Sequence, residues 1–339
     1  MLRHTFCHIQ GVGPKTERRI WDKGVHTWDH ACDPDALPLP AGRCQVVARA
    51  AEESIRRLER GDAKWFYGGL PSSEQWRLFS QFRGSAAYVD IETTGLGAPS
   101  DYITTIALYD GAAVRHYVYD DNLDDFRRDV EDYGLIVTYN GKQFDVPFLR
   151  NYLGARMDQA HIDLCFVLRS LGYRGGLKGC EKQLGIERGE LDGVDGYFAV
   201  LLWREWRRSG DRRALDTLLA YNITDTVNLE TLMVLAYNLK VRQAGLPGLA
   251  ELPVPAAPVL LPRSDDEDVM RSVMERVDGL LLTGGGDVVS LAYGEEPHPR
   301  SAGQDPVRDA ADFAAVRIAL EWRSSPAMLL HVFRVVSLR

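Results

Sequence analysis

The sequence is poor in cysteine and lacks long apolar runs, and both absences limit the class of protein. Its five cysteines, Cys7, Cys32, Cys44, Cys165 and Cys180, include no Cys-x-x-Cys pair, so neither a zinc site nor a disulfide framework is predicted. No stretch of about 18 apolar residues is present, and the N-terminus lacks the charged and then apolar pattern of a signal peptide. We therefore expect a cytoplasmic protein with reduced thiols and no membrane partner.

An excess of basic residues is also lacking. The 339 residues carry a formal net charge of -8 at pH 7. This charge argues against a protein that coats nucleic acid by bulk attraction, although an enzyme with a local basic groove is compatible with it. Hydrophobic residues make up 45% and charged residues 26% of the chain, as in ordinary soluble proteins, and the length predicts two or three domains.

Two acids lie on one short apolar strand, within the stretch Tyr88 to Gly95. Alternation along a strand places Asp90 and Glu92 on one face, with Val89 and Ile91 on the other. Neighbouring carboxylates repel each other and partial burial increases that cost, so the pair predicts a bound cation. Because the ligands on offer are oxygens, we expect a hard divalent ion, Mg²⁺ or Mn²⁺.

The segments that follow Glu92 predict further strands. Apolar and β-branched residues indicate strands over Tyr102 to Tyr109 and Ala113 to Tyr119, joined by a tight turn in an antiparallel meander. The continuous apolar run from Leu135 to Tyr139 predicts a strand that is buried on both faces. The pattern is typical of an α/β fold.

Two more acids occur later in the chain. Asp145 follows the buried strand and begins a helix with Pro147 in its first turn, so alone it would most simply be the helix N-cap. Tyr221 and Asp225 are four residues apart on a long helix predicted over Arg213 to Leu239, and they share a face at the border of its apolar stripe. Alone, Asp225 would most simply be a surface residue.

Near the N-terminus, Gly11-Val12-Gly13 followed by Pro14 and Lys15 resembles the turn of a helix-hairpin-helix motif, which offers backbone N–H groups to a phosphate. We predict Gly11, Gly13 and Lys15 as nucleic-acid contacts. A glycine-rich turn that serves packing alone is an equal alternative for so short a motif.

Taken together, the acidic motifs resemble those of the DEDD 3′–5′ exonucleases. Asp90 and Glu92 match the first motif, the segment Asn140 to Asp145 the second, and the segment Tyr221 to Asp225 the third, whose tyrosine marks the tyrosine subtype. From about residue 88 to 238 the chain looks similar to the YprB-type ribonuclease-H-like family. The resemblance implies a mixed sheet flanked by helices, and a preceding helix-hairpin-helix segment suits the same family.

The resemblance also implies a chemistry. Four carboxylates can hold two divalent ions for the hydrolysis of a phosphodiester at a 3′ end of DNA or RNA. The metal ligands would be Asp90, Glu92, Asp145 and Asp225. Tyr221 would orient the attacking water, since a phenol of pKa about 10 is a poor base at neutral pH. Asn140 and Lys178 are predicted nucleic-acid contacts, and an acid such as Asp163 lies near the site in related exonucleases, with a structural use equally open.

The C-terminal part has a different character. A segment rich in proline and alanine at 241–262 predicts a linker. Beyond it, the strand and glycine turn of Val277 to Asp287, with Tyr293 to Pro297 and Asp305 to Asp309, resemble class I glutamine amidotransferases of the γ-glutamyl hydrolase type. That family needs a nucleophilic cysteine, and no cysteine follows Cys180. We expect a partial α/β segment without amidotransferase activity.

The predicted organisation is a helical region at 1–84, a ribonuclease-H-like exonuclease domain at 85–240, the linker at 241–262 and a truncated amidotransferase-like segment at 263–339. The predicted function is a metal-dependent 3′–5′ exonuclease. One alternative is a nucleic-acid-binding protein that keeps the nuclease fold with little catalysis, and a weaker one is a glutamine amidotransferase-like hydrolase. The sequence does not separate DNA from RNA substrates and names no protein partner.

Overall fold

The computed structural model describes residues 1–186 and 196–255, and in the C-terminal part residue 268 and residues 271–272, 279–281, 306–322 and 329–331. The chain divides into two units, one formed by Met1–Gly111 with Tyr117–Pro255 and the other by Ala112–His116 with Ala256–Arg339. Among these described residues, no helix has the length and apolar character that crossing a membrane requires.

A five-stranded mixed sheet carries the acidic motifs. Its strands are β1 (Ala86–Thr93), β2 (Ile103–Tyr109), β3 (Val114–Val118), β4 (Leu135–Thr138) and β5 (Ala160–Asp163). They lie in the order β3-β2-β1-β4-β5, with β1 antiparallel to β2 and parallel to β4, and β4 parallel to β5. The prediction of a mixed sheet is confirmed. The carboxyl ends of β1, β4 and β5 lie at one edge of the sheet because these three strands are parallel.

Helices cover both faces of the sheet. The α-helices of the first unit are α1 (Pro14–Trp21), α2 (Trp28–Ala31), α3 (Ala41–Glu59), α4 (Ala63–Gly69), α5 (Phe79–Phe82), α6 (Phe126–Asp129), α7 (Asp145–Asn151), α8 (Leu164–Ser170), α9 (Gly176–Leu184), α10 (Gly196–Ser209) and α11 (Arg212–Ala244). Short 3₁₀ helices span Leu2–His4, Pro34–Ala36, Ser72–Leu78, Arg83–Ser85, Leu123–Asp125 and Val130–Asp132.

The alternation of β1 separates its apolar and acidic faces as predicted. Val89 and Ile91 pack with Leu149 of α7 in one core cluster. Asp90 and Glu92 point to the other face, which α11 covers. The strand thus contributes to the core through one set of side chains and presents its acids through the other.

The 33-residue helix α11 is the longest described element and has clear end signals. Asp211 caps its first turn by accepting a hydrogen bond from the N–H of Arg213 at 3.0 Å. Gly245, with φ of 62°, ends it in the left-handed conformation that favours glycine. The helix therefore extends to Ala244, into the range predicted as linker, because a glycine rather than the first proline terminates it.

The N-terminal helices and the sheet share one hydrophobic core. Its cluster joins Phe6, which lies between the first 3₁₀ helix and α1, and Trp28 of α2 to Val137 of β4, Ile162 of β5 and Leu232 of α11, all of them fully or almost fully buried. The helical region is therefore packed as part of the sheet-containing unit, and the boundary at residue 84 stays a prediction.

A buried ion pair fixes this helical region. Arg77 donates to Glu17 at 2.7 Å, and the two side chains are only 7% and 1% exposed. The carboxylate of Glu17 also accepts the backbone N–H groups of Phe6 and Cys7, at 2.5 and 3.0 Å. Both charges are thereby paired and hydrogen-bonded, which is the condition for keeping them in a core.

In the C-terminal part of the second unit, the described residues include β6 (Gly279–Leu281), which pairs in parallel with β7 (Leu329–His331), and the helix α12 (Pro306–Trp322). β6 falls within the strand predicted from Val277. The predicted glycine turn after it, through residue 287, and the segment 293–297 lie outside the described residues.

Replacing Arg77 by methionine leaves the Glu17 carboxylate buried without its cation. We expect Arg77→Met to lower the free energy of unfolding by about 3 to 5 kcal/mol, as measured by urea denaturation. Arg213→Met is the matched control, because Arg213 pairs with Asp211 while 84% exposed, and an exposed pair of this kind contributes little to stability. Equal midpoints for the two variants would contradict the assignment.

Candidate metal centre

Three carboxylates converge on the face of β1 that α11 covers. Asp90 and Glu92 of β1 and Asp225 of α11 each place one oxygen so that the three atoms lie within 4.8 Å of one another. Asp90 and Glu92 are half-buried and Asp225 is buried. Alternation along the strand supplies the first two ligands, and the crossing of α11 over the sheet supplies the third.

Asp145 stands beside this cluster. It is 4% exposed and is the first residue of α7, so that Phe144, and not Asp145, occupies the N-cap position. Its carboxylate forms a hydrogen bond with the backbone of Ile91, the residue between Asp90 and Glu92, and its negative charge contributes to the raised pKa of both acids. Three of the four acids predicted from the sequence therefore form the cluster, Asp145 contacts the same strand, and the simple N-cap explanation of Asp145 does not describe its position.

The site holds its acids at unusually high pKa values. Burial, and then repulsion by the neighbouring carboxylates, raises the pKa of Glu92 to about 8 and the pKa of Asp90 well above its usual range. Burial raises the pKa of Asp145 to about 7, against the lowering effect of its hydrogen bonds with its own and the Ile91 backbone N–H. A cation at this place would relieve the repulsion, and an all-oxygen donor set fits a hard divalent ion.

Asn222 fixes the orientation of Asp90. Its side chain is fully buried, and Nδ2 donates to Asp90 Oδ2 at 2.8 Å and to the Asp90 carbonyl oxygen at 3.3 Å. The bond favours the ionised form and lowers the pKa of Asp90 against the effect of burial. No role is predicted for Asn222 from the sequence. Its position three residues before Asp225, on the same helix face, was the available signal.

Tyr221 and Lys178 form a second contact at the site. Lys178 Nζ donates to Tyr221 Oη at 2.6 Å and lies 4.6 Å from the centroid of the ring. The Lys178 charge also lowers the pKa of Glu92. The structure therefore brings Lys178, predicted as a phosphate contact, to the tyrosine and the acids of the cluster.

Asp163 anchors the loop that carries Asp145. Located at the end of β5, it accepts the backbone N–H groups of Asn140, Lys142 and Cys165 at 2.8, 3.0 and 3.0 Å. Of the two uses considered for this acid, the structure shows the structural one. Asn140 adopts a left-handed conformation with φ of 63° and contributes its backbone to this anchor.

A close approach at Gly141 tightens the same loop. The N–H of Gly141 donates to Thr138 Oγ1 at 3.1 Å. A Cβ atom on Gly141 would lie 2.3 Å from that oxygen, so any other residue would push the loop away from β4.

The N-terminal glycine motif lies at the start of α1. Gly13 is the N-cap of α1 with Pro14 in its first turn, and Gly11, with φ of 79°, accepts a hydrogen bond from Arg43 Nη2 at 2.5 Å. Lys15 is exposed. The described helix before this turn is the single 3₁₀ turn Leu2–His4, so the first helix of the predicted hairpin is very short, and the phosphate-binding role stays a prediction.

Two known protein families match separate parts of the chain. Residues 87–237 match the RNase_H superfamily, and this segment, which contains all four acids, is an RNase_H superfamily domain. Residues 253–328 match the Peptidase C26 family, a glutamine amidotransferase-like segment. The finer assignment to the YprB-type family stays a prediction.

The curated relatives match the C-terminal segment. The chain is 41% identical over 63 residues to the glutamine amidotransferase-like protein YvdE homolog of Lactococcus lactis subsp. cremoris, a match that covers 19% of this chain and 33% of the relative. It is 38% identical over 63 residues to the glutamine amidotransferase-like protein YvdE of Lactococcus lactis subsp. lactis (strain IL1403), covering 19% of this chain and 26% of that protein. The chain thus spans a third or less of these relatives.

Among solved structures, the family B DNA polymerase from the hyperthermophilic archaeon Pyrobaculum calidifontis is similar with a TM-score of 0.34 and 19% identity. The alignment covers 45% of this chain and 25% of the polymerase chain. At this level the likeness carries no argument about function.

The raised pKa of Glu92 predicts a pH-dependent stability in the absence of metal. Between its value in the unfolded chain, about 4.5, and its folded value of about 8, the native state keeps a proton that the unfolded chain releases, so stability falls as pH rises. In EDTA, we expect the melting temperature of the wild type to fall relative to that of Glu92→Gln as the pH is raised from about 4.5 to about 8.

Added Mg²⁺ is expected to reduce that relative fall, because binding requires ionised carboxylates and stabilises the native state. Differential scanning fluorimetry across the range measures both effects. A wild-type melting temperature that rises relative to Glu92→Gln over the same range in EDTA would show that the carboxyl is not held protonated.

Proposed function

We propose that this protein is a divalent-metal-dependent 3′–5′ exonuclease that hydrolyses phosphodiester bonds of DNA or RNA. The observation that carries the proposal is the convergence of Asp90, Glu92 and Asp225 within 4.8 Å, with Asp145 beside them and Tyr221 on the same helix as Asp225. The RNase_H superfamily match over residues 87–237 supports a nuclease-related function.

In this proposal, the residues of the site have distinct functions. The four acids would hold Mg²⁺ or Mn²⁺, two ions by the motif pattern, and such ions when bound neutralise phosphate charge and lower the pKa of water. Asn222 keeps Asp90 oriented through its bond to Oδ2. The loop held by Asp163 leads into α7, whose first residue is Asp145.

Tyr221 is the residue that would orient the attacking water. Its oxygen accepts a hydrogen bond from Lys178 at 2.6 Å, and an ammonium has donors but no acceptor. The phenolic proton is therefore directed away from Lys178. In this proposal the Lys178 ammonium would also stabilise negative charge that develops on the phosphate, as fixed charges do in a transition state.

The substrate of this proposal is the 3′ end of a nucleic acid. Because the chain has a net charge of -8, nucleic-acid binding would depend on the local site rather than on the overall charge of the protein. The motif order and the tyrosine subtype favour the YprB-type group within the superfamily.

Amidotransferase activity is not part of the proposal. The matched range 253–328 contains no cysteine, since the last cysteine of the chain is Cys180. Cys180 itself is buried on α9 in the first unit. The nucleophile that this chemistry needs is thus missing from the matched segment.

Digestion of 5′-labelled DNA and RNA oligonucleotides tests the proposed activity. With Mg²⁺ or Mn²⁺ we expect a ladder that shortens from the 3′ end, is lost in EDTA, and identifies the preferred sugar. Asp90→Ala and Asp225→Asn should abolish turnover while circular dichroism shows an intact fold, because each removes a metal ligand. Full activity in Asp225→Asn would exclude the proposed site, and a substrate that is bound but stays intact would favour the nucleic-acid-binding alternative.

Replacing Lys178 tests its contribution to the tyrosine. We expect Lys178→Met to lower kcat on a labelled oligonucleotide about tenfold or more, as is typical when a residue that orients a site is lost. Lys178→Arg, which keeps the charge and the donors, should retain more activity. The control is Lys182→Met, at an exposed position on the same helix α9. Equal kcat values for Lys178→Met and Lys182→Met would exclude the role.

A further inference from the structure

A lysine side chain in the loop before Asp145 contacts two residues outside the matched nuclease segment. Lys142 lies between Asn140 and Asp145, and its Nζ donates to Gln75 Oε1 at 2.7 Å. The same ammonium lies 5.3 Å from the centroid of the Tyr67 ring. Both partners belong to the N-terminal helical region, and neither lies within residues 87–237.

Gln75 is a rigidly placed acceptor. It is 8% exposed and lies in the 3₁₀ helix Ser72–Leu78. Two residues further on, Arg77 forms the buried ion pair with Glu17, and it also pairs with Glu74 at 2.7 Å. Trp76, next to Gln75, packs its ring 5.8 Å from that of Tyr237 on α11. The acceptor is therefore fixed by charge pairs and by packing on both sides.

The other end of the bond is in the segment whose geometry decides where Asp145 lies. Within the sheet, Asp163 holds the backbone N–H groups of Asn140 and Lys142, and Thr138 holds that of Gly141. These contacts fix the beginning of the loop. The Lys142 side chain adds a hold from outside the sheet, three residues before Asp145. A side chain that orients a ligand-bearing segment affects metal affinity as strongly as many direct contacts do.

We propose that the N-terminal helical region is part of the catalytic machinery, with Gln75 and Lys142 as positioning residues that keep the Asp145 loop in its metal-binding position. This inference rests on the proposed function of the site. It assigns the helical region a function that does not depend on phosphate binding by its glycine motif. Losing the acceptor would remove the hydrogen-bond partner of a half-buried ammonium, and the loop would lose its outer hold.

The test uses the full chain and matched variants. Gln75→Met has a similar size and no acceptor, whereas Gln75→Glu keeps an acceptor opposite the ammonium. Lys142→Met removes the donor, and the double variant Gln75→Met/Lys142→Met removes both. The readouts are Mn²⁺ binding followed by electron paramagnetic resonance, kcat and KM on a labelled oligonucleotide, and the melting temperature.

We expect Gln75→Met and Lys142→Met each to weaken Mn²⁺ binding and to lower kcat about tenfold, with KM and melting temperature close to those of the wild type. Gln75→Glu should keep Mn²⁺ binding and kcat close to those of the wild type. The double variant should lose no more than either single variant, since both substitutions break the same hydrogen bond. A merely structural role would instead lower the melting temperature and leave Mn²⁺ binding in the folded fraction unchanged.

Wild-type Mn²⁺ binding in folded Gln75→Met and in folded Lys142→Met would overturn the inference, as would additive losses in the double variant. The failure of the proposed function is distinguishable from this result. If the wild type binds Mn²⁺ but hydrolyses no oligonucleotide, the exonuclease proposal fails, while Mn²⁺ binding by the variants still decides whether Gln75 and Lys142 position the loop.

Discussion

The rest of the structure depends on one constraint, the repulsion among the carboxylates that converge between β1 and α11. Asp90, Glu92 and Asp225 come within 4.8 Å of one another, and Asp145 adds its charge to theirs. Without a cation, burial and the neighbouring carboxylates raise the pKa of Asp90 well above its usual range and that of Glu92 to about 8, and burial raises the pKa of Asp145 to about 7. Buried, mutually repelling carboxylates with raised pKa values are typical of binding and catalytic sites.

The surroundings of the cluster fix each acid from a different direction. Asn222 holds Asp90 from α11, and Lys178 places its positive charge near Glu92 from α9. Asp163 and the 3₁₀ helix that contains Gln75 hold the loop before Asp145. The helical N-terminal region shares its core with the sheet and with α11, so the site depends on residues far beyond the strand on which its first two acids lie.

The sequence predicts those features that depend on local periodicity. Alternation placed Asp90 and Glu92 on the face opposite Val89, and the structure confirms that separation because strand geometry leaves no other choice. Contacts between distant segments were not predictable in this way. Asn222 and Asp90 are 132 residues apart and Lys142 and Gln75 are 67 apart. Such pairs form only once helices have packed on the sheet, and no spacing rule encodes them. Asp163 is intermediate, since its place at a strand end was visible but its three backbone partners were not.

The most direct test of the account is the number of protons released when Mn²⁺ binds, measured by isothermal titration calorimetry at neutral pH in two buffers of different ionisation enthalpy. Because Glu92 and Asp145 have pKa values of about 8 and about 7, the account predicts binding with clear proton release that diminishes as the pH is raised above these values. Asp225→Asn should weaken the binding. Binding heats that are absent, or that do not depend on the buffer, would contradict the central claim that these carboxylates form a metal site.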